Sequence, residues 1–307
     1  MKKCLFIVSL SLCILNAKDL QEGFGGKVFV GGGIRHIKSN ITPFADNPYL
    51  SSYDDKHSKI AAVPIAGLEL FYKELLGHDQ IFLKNFNGRD LSGLAVGYEK
   101  RYIDYKTSIE LVSSLREKAY ANPYDTSIKR EETTANKFGF KLSQAYHFNE
   151  ASNLYISYLF AKNHIEKESV SYRNLRRKGL FHQFEFGYKH SFINANINYD
   201  FNDAKGKAES FTRYGLSLGI HIMPIQNYIL SPNFSFNKYN NKGTNFIFNQ
   251  KQDGDILKFG LSLSKLKFLD HEKLYAFASY NIHKKDSNIN FYDETFQVFL
   301  LGLGYGF

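Results

Sequence analysis

The sequence is 307 residues long with a formal charge of +9, and it contains 28 Phe and 21 Tyr but no Trp. Its Lys and Arg residues are scattered rather than grouped in blocks, so the positive charge does not indicate a nucleic-acid partner. Beyond the N-terminal segment no apolar run approaches the roughly 20 residues that a membrane-spanning helix needs. Abundant aromatic residues with 23 Gly and 6 Pro are typical of strands in a membrane β-barrel.

The first 17 residues are predicted to be a secretory signal peptide. Lys2 and Lys3 precede an apolar run over residues 4–15, which closes on Asn16-Ala17. A retained membrane anchor and lipid attachment at Cys13 are the alternatives. Both cysteines of the chain lie in this segment. The predicted mature domain, residues 18–307, therefore offers neither disulfides nor thiol chemistry.

Alternation of apolar with polar or very small residues recurs along the rest of the chain, and a period of two predicts strands. In residues 194–201, for example, Ala, Ile, Tyr and Phe share one face while Asn and Asp share the other. The segments are separated alternately by short turns and by longer polar loops, which favours a transmembrane barrel over a soluble sandwich. The predicted strands are 24–37, 59–73, 80–86, 91–102, 105–120, 135–148, 153–165, 177–192, 195–202, 211–222, 228–238, 253–268, 273–283 and 294–307.

These segments predict an all-β fold, a transmembrane antiparallel β-barrel of about 14 strands with both termini on the periplasmic side. The alternative is 12 strands, because segment 80–86 is weak. Such a barrel lies in the outer membrane, with outer-membrane lipid as its surroundings.

The last predicted strand indicates which face of the sheet meets lipid. Phe299, Leu301, Leu303, Tyr305 and Phe307 share one face, and Gly residues occupy much of the other. An aromatic residue at the end of such a strand resembles the signal by which barrel proteins are recognised for insertion. We therefore predict Tyr305 and Phe307 as an insertion signal and the barrel-insertion machinery as a partner.

The opposite register gives a polar interior, and a barrel of this width has room for an aqueous channel. An excess of fixed positive charge would favour anions, although the charges could instead pair across neighbouring strands and fill the lumen. The charged loop 121–134 is a candidate for an inward constriction. The predicted pore-lining residues are Lys27, Arg35, Glu69, Glu99, Arg101, Glu110, Arg116, Lys137, Lys141, Glu185, Lys189, Asp200, Arg213 and Lys258.

No pattern indicates an enzyme. There is no G-x-S-x-G turn, and the ten histidines show neither an H-x-H nor an H-E-x-x-H arrangement. We therefore expect no catalytic residue, no metal site and no cofactor.

Three segments carry a resemblance to a known family: residues 122–124 with 129–133, residues 203–208 with 210–211 and 214–215, and residues 286–294. In these segments the chain resembles a family of Gram-negative outer-membrane proteins known only as a domain of unknown function. The resemblance implies a membrane barrel and supplies no substrate. Because all three segments are at loops and strand ends, they are expected either to order those loops or to bind something there.

From the polar, cationic interior we expect a passive, porin-like diffusion channel for small and preferably anionic solutes. One alternative is a surface protein that transports nothing and whose loops, especially 38–58 and 121–134, bind a partner. The other is transport of apolar compounds through a lateral opening, because Val63, Ile65 and Val298, together with Phe296, are predicted to face inward.

Overall fold

The computed structural model describes residues 23–307, and the predicted signal peptide, residues 1–17, lies outside the described residues. One antiparallel sheet holds sixteen strands. They are β1 (Gly23–Lys38), β2 (Ser58–Lys73), β3 (Asp79–Asn87), β4 (Ser92–Arg101), β5 (Tyr105–Ser114), β6 (Glu117–Tyr120), β7 (Glu132–Asn149), β8 (Ser152–Ile165), β9 (Gly179–His190), β10 (Ile193–Ala204), β11 (Phe211–Ile220), β12 (Ile222–Ile225), β13 (Tyr228–Asn245), β14 (Gln250–Lys265), β15 (Leu274–Ser287) and β16 (Glu294–Gly306). Short 3-10 turns cover Pro43–Ala45, Arg173–Leu175, Phe268–Asp270 and Asn290–Tyr292.

Two pairs of these strands continue each other along the barrel wall. β5 runs on into β6 across Leu115 and Arg116, and β11 runs on into β12 across His221. The wall therefore has 14 strands, which confirms the predicted fold and strand number. The weak segment 80–86 is strand β3, so the 12-strand alternative is wrong.

The first and last strands close the barrel. β1 pairs with β16 from Lys27 opposite Gly306 to Lys38 opposite Thr295. The N–H of Gly26 donates to the carbonyl of Phe307 at 3.0 Å, and the N–H of Phe307 donates back at 2.9 Å. Lipid cannot form hydrogen bonds with backbone groups. The seam therefore pairs the N–H and C=O groups of two strand edges that would be costly to leave unpaired in a membrane.

The predicted register of β16 is correct. Its odd-numbered residues from Phe299 to Phe307 have 38–51% of their surface exposed, whereas Val298 and Leu300 are buried. The same alternation on the other strands produces an apolar outer band, and the polar positions turn inward. Among residues 23–307 no helix is long and apolar enough to cross a membrane.

Short connections gather at one end of the barrel, which we call the turn end, and longer ones at the other, the loop end. The turn end holds residues 74–78, 102–104, 150–151, 191–192, 226–227 and 266–273, and the loop end holds residues 39–57, 88–91, 121–131, 166–178, 205–210, 246–249 and 288–293. Both sets follow the predicted alternation of turns and loops.

Candidate functional site

One connection of the loop end folds into the barrel instead of extending away from it. β3 and β4 are only 9 and 10 residues long, so their hairpin ends below the level that the neighbouring strands reach. Phe86 and Leu91 flank the turn and are buried against an interior apolar cluster that includes Val112, Leu159 and Phe181. These contacts draw residues 88–91, the inward loop, into the lumen.

Arg89 anchors the inward loop on the far wall of the barrel. Its Nη1 lies 2.6 Å from Oε2 of Glu185 on β9, and its Nη2 lies 2.8 Å from Oδ1 of Asp200 on β10. Asp200 is fully buried, and Lys258 on β14 donates to the Arg89 carbonyl at 3.2 Å. Arg89 Nε also donates to Oδ2 of Asp200 at 3.1 Å, so this pair is bidentate, and bidentate pairing fixes orientation as well as charge.

Asp90 extends the same network. Arg213 on β11 donates to it from both terminal nitrogens, at 3.0 Å for Nη1 to Oδ1, and also reaches Asp200 at 2.7 Å. Gln183 donates to Asp90 Oδ2 at 3.2 Å, and Lys137 on β7 donates to the Asp90 carbonyl. Strands β7, β9, β10, β11 and β14 thus all hold the inward loop across the lumen.

The remaining loops converge over the loop end to form what we call the cap. Its apolar core contains residues from each of the six other loops. The buried members are Leu50, Tyr124, Leu175, Ala208, Ile289, Phe291 and Tyr292, with Ile41, Tyr53, Val170, Ile247 and Phe248 packed against them. The cap therefore has a small hydrophobic core of its own, which stabilises one arrangement of the loops.

Polar groups inside the cap are paired with one another. The Tyr124 hydroxyl donates to Oε1 of Glu209 at 2.7 Å and lies 2.6 Å from the Tyr292 hydroxyl. Burial raises the pKa of Glu209 above the ordinary range for a carboxyl group, and it raises the pKa of Tyr124 and of Tyr292 as well. Both tyrosines are therefore neutral hydrogen-bond donors at physiological pH.

Loop 121–134 belongs to the cap rather than to a constriction, so that prediction is wrong. Arg130, only 1% exposed, donates to the carbonyls of Asn40 at 2.7 Å and Pro123 at 2.9 Å. Its guanidinium also lies 4.0 Å from the ring centre of Tyr120. These contacts hold the loop against the first outer loop, and the inward loop forms the constriction instead.

The inward loop divides the lumen into two chambers. On the side of the turn end lies a cavity of about 480 Å³, bordered by Gly88, Arg89, Lys141 and Lys258 and otherwise lined mainly by Asn and Ser side chains. Between the inward loop and the cap lies a cavity of about 350 Å³, whose lining includes Asp90, Phe181, Tyr239, Lys285 and Tyr292.

Most of the predicted pore-lining residues are on the interior face, and many are paired. Lys137, Lys141, Lys189 and Lys258 have no carboxylate within 4.0 Å in the part of the chain that the structure describes. Ion pairs join Lys27 to Glu69 (2.6 Å), Lys84 to Glu110 (3.2 Å), Arg101 and Lys106 to Glu99 (3.0 and 3.2 Å), Arg89 to Glu185 and Asp200, and Arg213 to Asp200.

Two predicted residues differ from this pattern. Arg116 lies in the break between β5 and β6 and is exposed, because the break shifts the alternation by one residue. Its neighbour Glu117 is the one that lies close enough to Lys137 and Asp90 to interact with their charges. Arg35 lies over the ring of Phe44, 4.7 Å from the ring centre, beneath the first outer loop.

Sequence reasoning missed the two residues at the centre of the site, Arg89 and Asp90. They lie between the predicted strands 80–86 and 91–102, in a segment that the turn pattern predicts as an outer loop, because alternation predicts faces and not how far a hairpin reaches. The available signal was the shortness of segment 80–86 together with apolar Phe86 and Leu91 at a turn. Lys84 and Lys106 were also missed, although both follow from the register of their strands.

A second apolar cluster lines the opposite interior wall and includes the inward-facing residues of the apolar-transport hypothesis. Val63, Ile65 and Val298 are buried there, and Phe296 packs against the cluster. The ring of Tyr275 in this cluster lies over Gly304. Among residues 23–307 no group of three or more His, Cys, Asp or Glu side chains is placed to hold a metal ion.

The fold is similar to that of solved outer-membrane proteins at low sequence identity. A FadL homologue from Pseudomonas aeruginosa is 10% identical with a TM-score of 0.52, covering 92% of this chain and 90% of that chain. The CymD monoaromatic hydrocarbon channel is 9% identical with a TM-score of 0.50, covering 94% and 89%. The deltaS2 mutant of the TodX monoaromatic hydrocarbon channel is 9% identical with a TM-score of 0.50, covering 94% and 90%.

The sequence itself matches one family. None of the curated proteins matches it, but residues 23–306 match the model of a family described as "Protein of unknown function (DUF2860)". The predicted resemblance is thereby confirmed, and the closed barrel with its apolar outer band places the protein in the outer membrane. The chain is an outer-membrane β-barrel protein and belongs to the DUF2860 family of unknown function.

Proposed function

We propose that this barrel is a gated diffusion channel for small hydrophilic solutes, with a preference for anions. The loop end faces the cell exterior and both termini face the periplasm. One observation carries the proposal: each predicted interior acid is within 4.0 Å of a cation, whereas Lys137, Lys141, Lys189 and Lys258 have no such acid in the described chain. Unneutralised positive charge in a narrow lumen raises the local concentration of anions.

The chemistry of the chamber on the turn-end side of the inward loop supports a hydrophilic solute. Its lining includes Asn194, Asn196, Asn233 and Asn281, together with several serines. Amide and hydroxyl groups donate and accept hydrogen bonds, so they replace part of the hydration that a polar solute loses on entry.

The inward loop supports a gate. Arg89 and Asp90 bind walls on the far side of the lumen through three ion pairs, and removal of one partner from a buried ion pair is strongly destabilising. The loop connects two short strands, so it can leave the lumen without disturbing the rest of the wall. We infer that the described state is the closed one.

Planar-bilayer recording tests the channel. The wild type is expected to open rarely, and the double variant Arg89→Gln/Asp90→Asn is expected to open at least about tenfold more often, because its loop has lost the ion pairs that hold it. Heat-modifiable mobility on gels shows whether each barrel is folded. If neither protein gives ion-permeable openings while both are folded, the channel proposal is wrong.

Reversal potentials in a salt gradient test the anion preference. The triple variant Lys137→Gln/Lys141→Gln/Lys258→Gln is expected to shift selectivity toward cations, because it removes interior charges that have no acid partner. Lys251→Gln is the matched control, since this lysine is exposed near the end of β14. An unchanged reversal potential in the triple variant would contradict the preference but not the channel.

A second candidate, passage of apolar compounds through the wall, is favoured by an unpaired strand edge. β1 pairs with β2 along all 16 residues of β2, whereas β3 pairs only with Glu69 to Lys73. The N–H of Leu68 faces β3 and finds the side chain of Asn85 at 2.9 Å. Pro64, four residues earlier, faces the same edge. Proline has no backbone N–H to donate, so it is tolerated at an edge where no partner strand needs that hydrogen bond.

The apolar cluster with Val63 and Ile65 lies on the interior side of this edge, so an apolar solute would meet apolar side chains beside a gap in the strand pairing. Uptake into liposomes separates the two candidates. Substitution of Val63 and Val298 by Ser should slow the entry of a neutral monoaromatic compound and leave anion conductance unchanged. Equal entry into liposomes that contain the wild type and into liposomes that contain this variant would remove the second candidate.

A further inference from the structure

Six basic residues lie together on three neighbouring loops at the loop end. They come from the connection between β8 and β9, the connection between β10 and β11, and the tip of the β13–β14 hairpin, where Lys242 is among the last four residues of β13. Five of the six are exposed, and Lys178 is half-buried. We call them the basic patch, and its members are Arg173, Arg176, Lys178, Lys205, Lys207 and Lys242.

Hydrogen bonds hold the three loops side by side. The N–H of Lys205 donates to the Lys178 carbonyl at 2.8 Å, and the N–H of Gly206 donates to the Arg176 carbonyl at 2.9 Å. The N–H of Lys242 donates to the Ser210 carbonyl at 2.7 Å. Asn174 bridges all three loops, since its side chain donates to the Thr244 carbonyl at 2.8 Å and its own carbonyl accepts from the N–H of Ala208 at 3.0 Å.

Two glycines permit this close approach. A Cβ at Gly206 would lie 2.3 Å from the Asn174 carbonyl oxygen, and a Cβ at Gly243 would lie 2.8 Å from the carbonyl carbon of Lys207. Any side chain at either position would push the loops apart. The basic patch is therefore a built arrangement, and two of its members, Lys205 and Lys207, lie in one of the segments that carry the family resemblance.

The patch is poorly neutralised by the protein. Lys207 lies 3.6 Å from Asp203, but both side chains are more than half exposed, so the pair contributes little. No other patch residue has an ion pair in residues 23–307. Neighbouring like charges repel one another at this range, so a bound anion would stabilise the arrangement.

The patch lies just beyond the part of the outer surface that faces lipid. Lys178 precedes Leu180, an exposed apolar residue of β9, by two positions. The ammonium of Lys242 lies 5.9 Å from the ring centre of Phe201 on the outer face of β10. Basic residues directly above an apolar, aromatic band are at the depth of lipid headgroups.

The outer surface at the ends of β14 and β15 has a different character. Asp253, Asp255 and Asp286 lie there with Lys251 and Lys284, and Lys284 pairs with Asp286 at 2.7 Å. This sector therefore lacks the excess of positive charge that the basic patch has.

We propose that the basic patch binds the phosphorylated headgroup of an anionic glycolipid of the outer leaflet. Lysine and arginine both bind phosphate, and arginine does so with two parallel hydrogen bonds. That the lipid is in the outer leaflet follows from the orientation given under the proposed function, in which the loop end faces the cell exterior. Binding itself does not depend on whether the barrel conducts. The channel and the lipid site can therefore fail independently.

Native mass spectrometry of the purified full-length barrel tests the site, with bisphosphorylated lipid A as the probe. The variant Lys178→Gln/Lys205→Gln/Lys242→Gln is expected to bind lipid A at least about tenfold more weakly, given the attraction of each basic residue to an anionic surface. The matched control is Lys38→Gln/Lys251→Gln/Lys284→Gln, which removes three exposed lysines elsewhere at the loop end and should bind like the wild type. Added salt should weaken wild-type binding.

Two results would overturn the proposal. One is equal loss of lipid A binding in both triple variants, which would show that only net charge matters. The other is tight binding of a soluble polyanion such as heparin that survives competition by lipid A, which would assign the patch to a soluble partner. Gly243→Val separates the loops without changing charge, and it should weaken lipid A binding while the barrel remains heat-modifiable.

Discussion

Glu209 couples the cap to pH. Its carboxyl group accepts hydrogen bonds from Tyr124 at 2.7 Å and Tyr292 at 3.3 Å. Burial raises its pKa, and the nearby charges of Arg177 and Lys285 lower it less than burial raises it. The closed cap therefore binds the Glu209 proton more tightly than an open, solvated loop does.

The sign of the pH effect follows from that difference. The stabilisation by protonated Glu209 is fully present below the pKa of the solvated carboxyl group, about 4.3, and is lost as the pH rises through the raised pKa of the closed cap. Hydrogen-exchange protection of residues 166–178 and 205–210, corrected for intrinsic rates, should fall with rising pH in the wild type. In Glu209→Gln it should stay level.

Asp203→Asn is the control for this prediction, because Asp203 is near the same loop but is exposed and makes only a weak pair with Lys207. It should retain the pH dependence of the wild type. A Glu209→Gln protein that loses protection with pH as the wild type does would contradict the assignment to Glu209.

Gly304 shows how the interior is packed at the scale of single atoms. A Cβ there would lie 2.0 Å from Cζ of the Tyr275 ring, so Gly304→Ala must displace the ring or the strand. We expect a loss of about 1–3 kcal/mol in the free energy of unfolding, measured by urea titration in detergent. In a Tyr275→Ala background the same substitution should cost much less.

Gly32→Ala is the matched control on β1. A Cβ there would have only the Val63 carbonyl oxygen nearby, at 3.5 Å, which is ordinary contact. A cost for Gly32→Ala as large as that for Gly304→Ala would show that the penalty arises from the strand and not from the ring.

At the scale of elements, the seam between β1 and β16 makes the barrel a closed object. Phe307 contributes two backbone hydrogen bonds to Gly26, and its ring lies 5.8 Å from that of Phe24. Deletion of Phe307 is expected to reduce the folded fraction in the outer membrane severalfold, because it removes the last pairing of the seam and the predicted insertion signal. Heat-modifiable mobility of membrane fractions measures that fraction.

Phe307→Tyr should assemble like the wild type, because it keeps both the backbone pairing and an aromatic end. Phe307→Ala keeps the backbone hydrogen bonds but removes the ring, so it separates the contribution of the backbone pairing from that of the aromatic side chain. Normal assembly of the deletion variant would contradict the prediction for Phe307.

The hairpin of β3 and β4 shows that the local sequence pattern predicts the strands but not the position of the turn between them. Alternation correctly predicts both strands, but the inward turn depends on contacts of Phe86 and Leu91 with β5, β8 and β9. Those partners are distant in sequence, so no local period contains them. The same is true of Arg89, whose partner Asp200 is 111 residues away.

At the scale of the whole molecule, two layers close the lumen. The cap joins six loops through one apolar core, and the inward loop crosses below it, held by the ion pairs of Arg89 with Asp200 and of Asp90 with Arg213. Opening must therefore release a hydrophobic contact and an electrostatic one. Conduction in the wild type is expected to be infrequent for this reason.

The sequence by itself determined the barrel. A membrane wall must be apolar outside and may be polar inside, so a period of two along residues 299–307 is imposed by lipid and can be read without any tertiary contact. Strand positions, turn order and the inward placement of Lys137, Lys141, Asp200 and Lys258 all follow from that constraint.

Only the tertiary structure decided what occupies the lumen. Which charges pair, which loop turns inward and which loops share a core depend on side chains brought together by closure of the sheet. Arg116 was misplaced because a two-residue break shifts the alternation, and loop 121–134 was misassigned because Arg130 binds the first outer loop. Such contacts join residues that are far apart in the sequence and meet only when the barrel closes, so the local sequence pattern does not predict them.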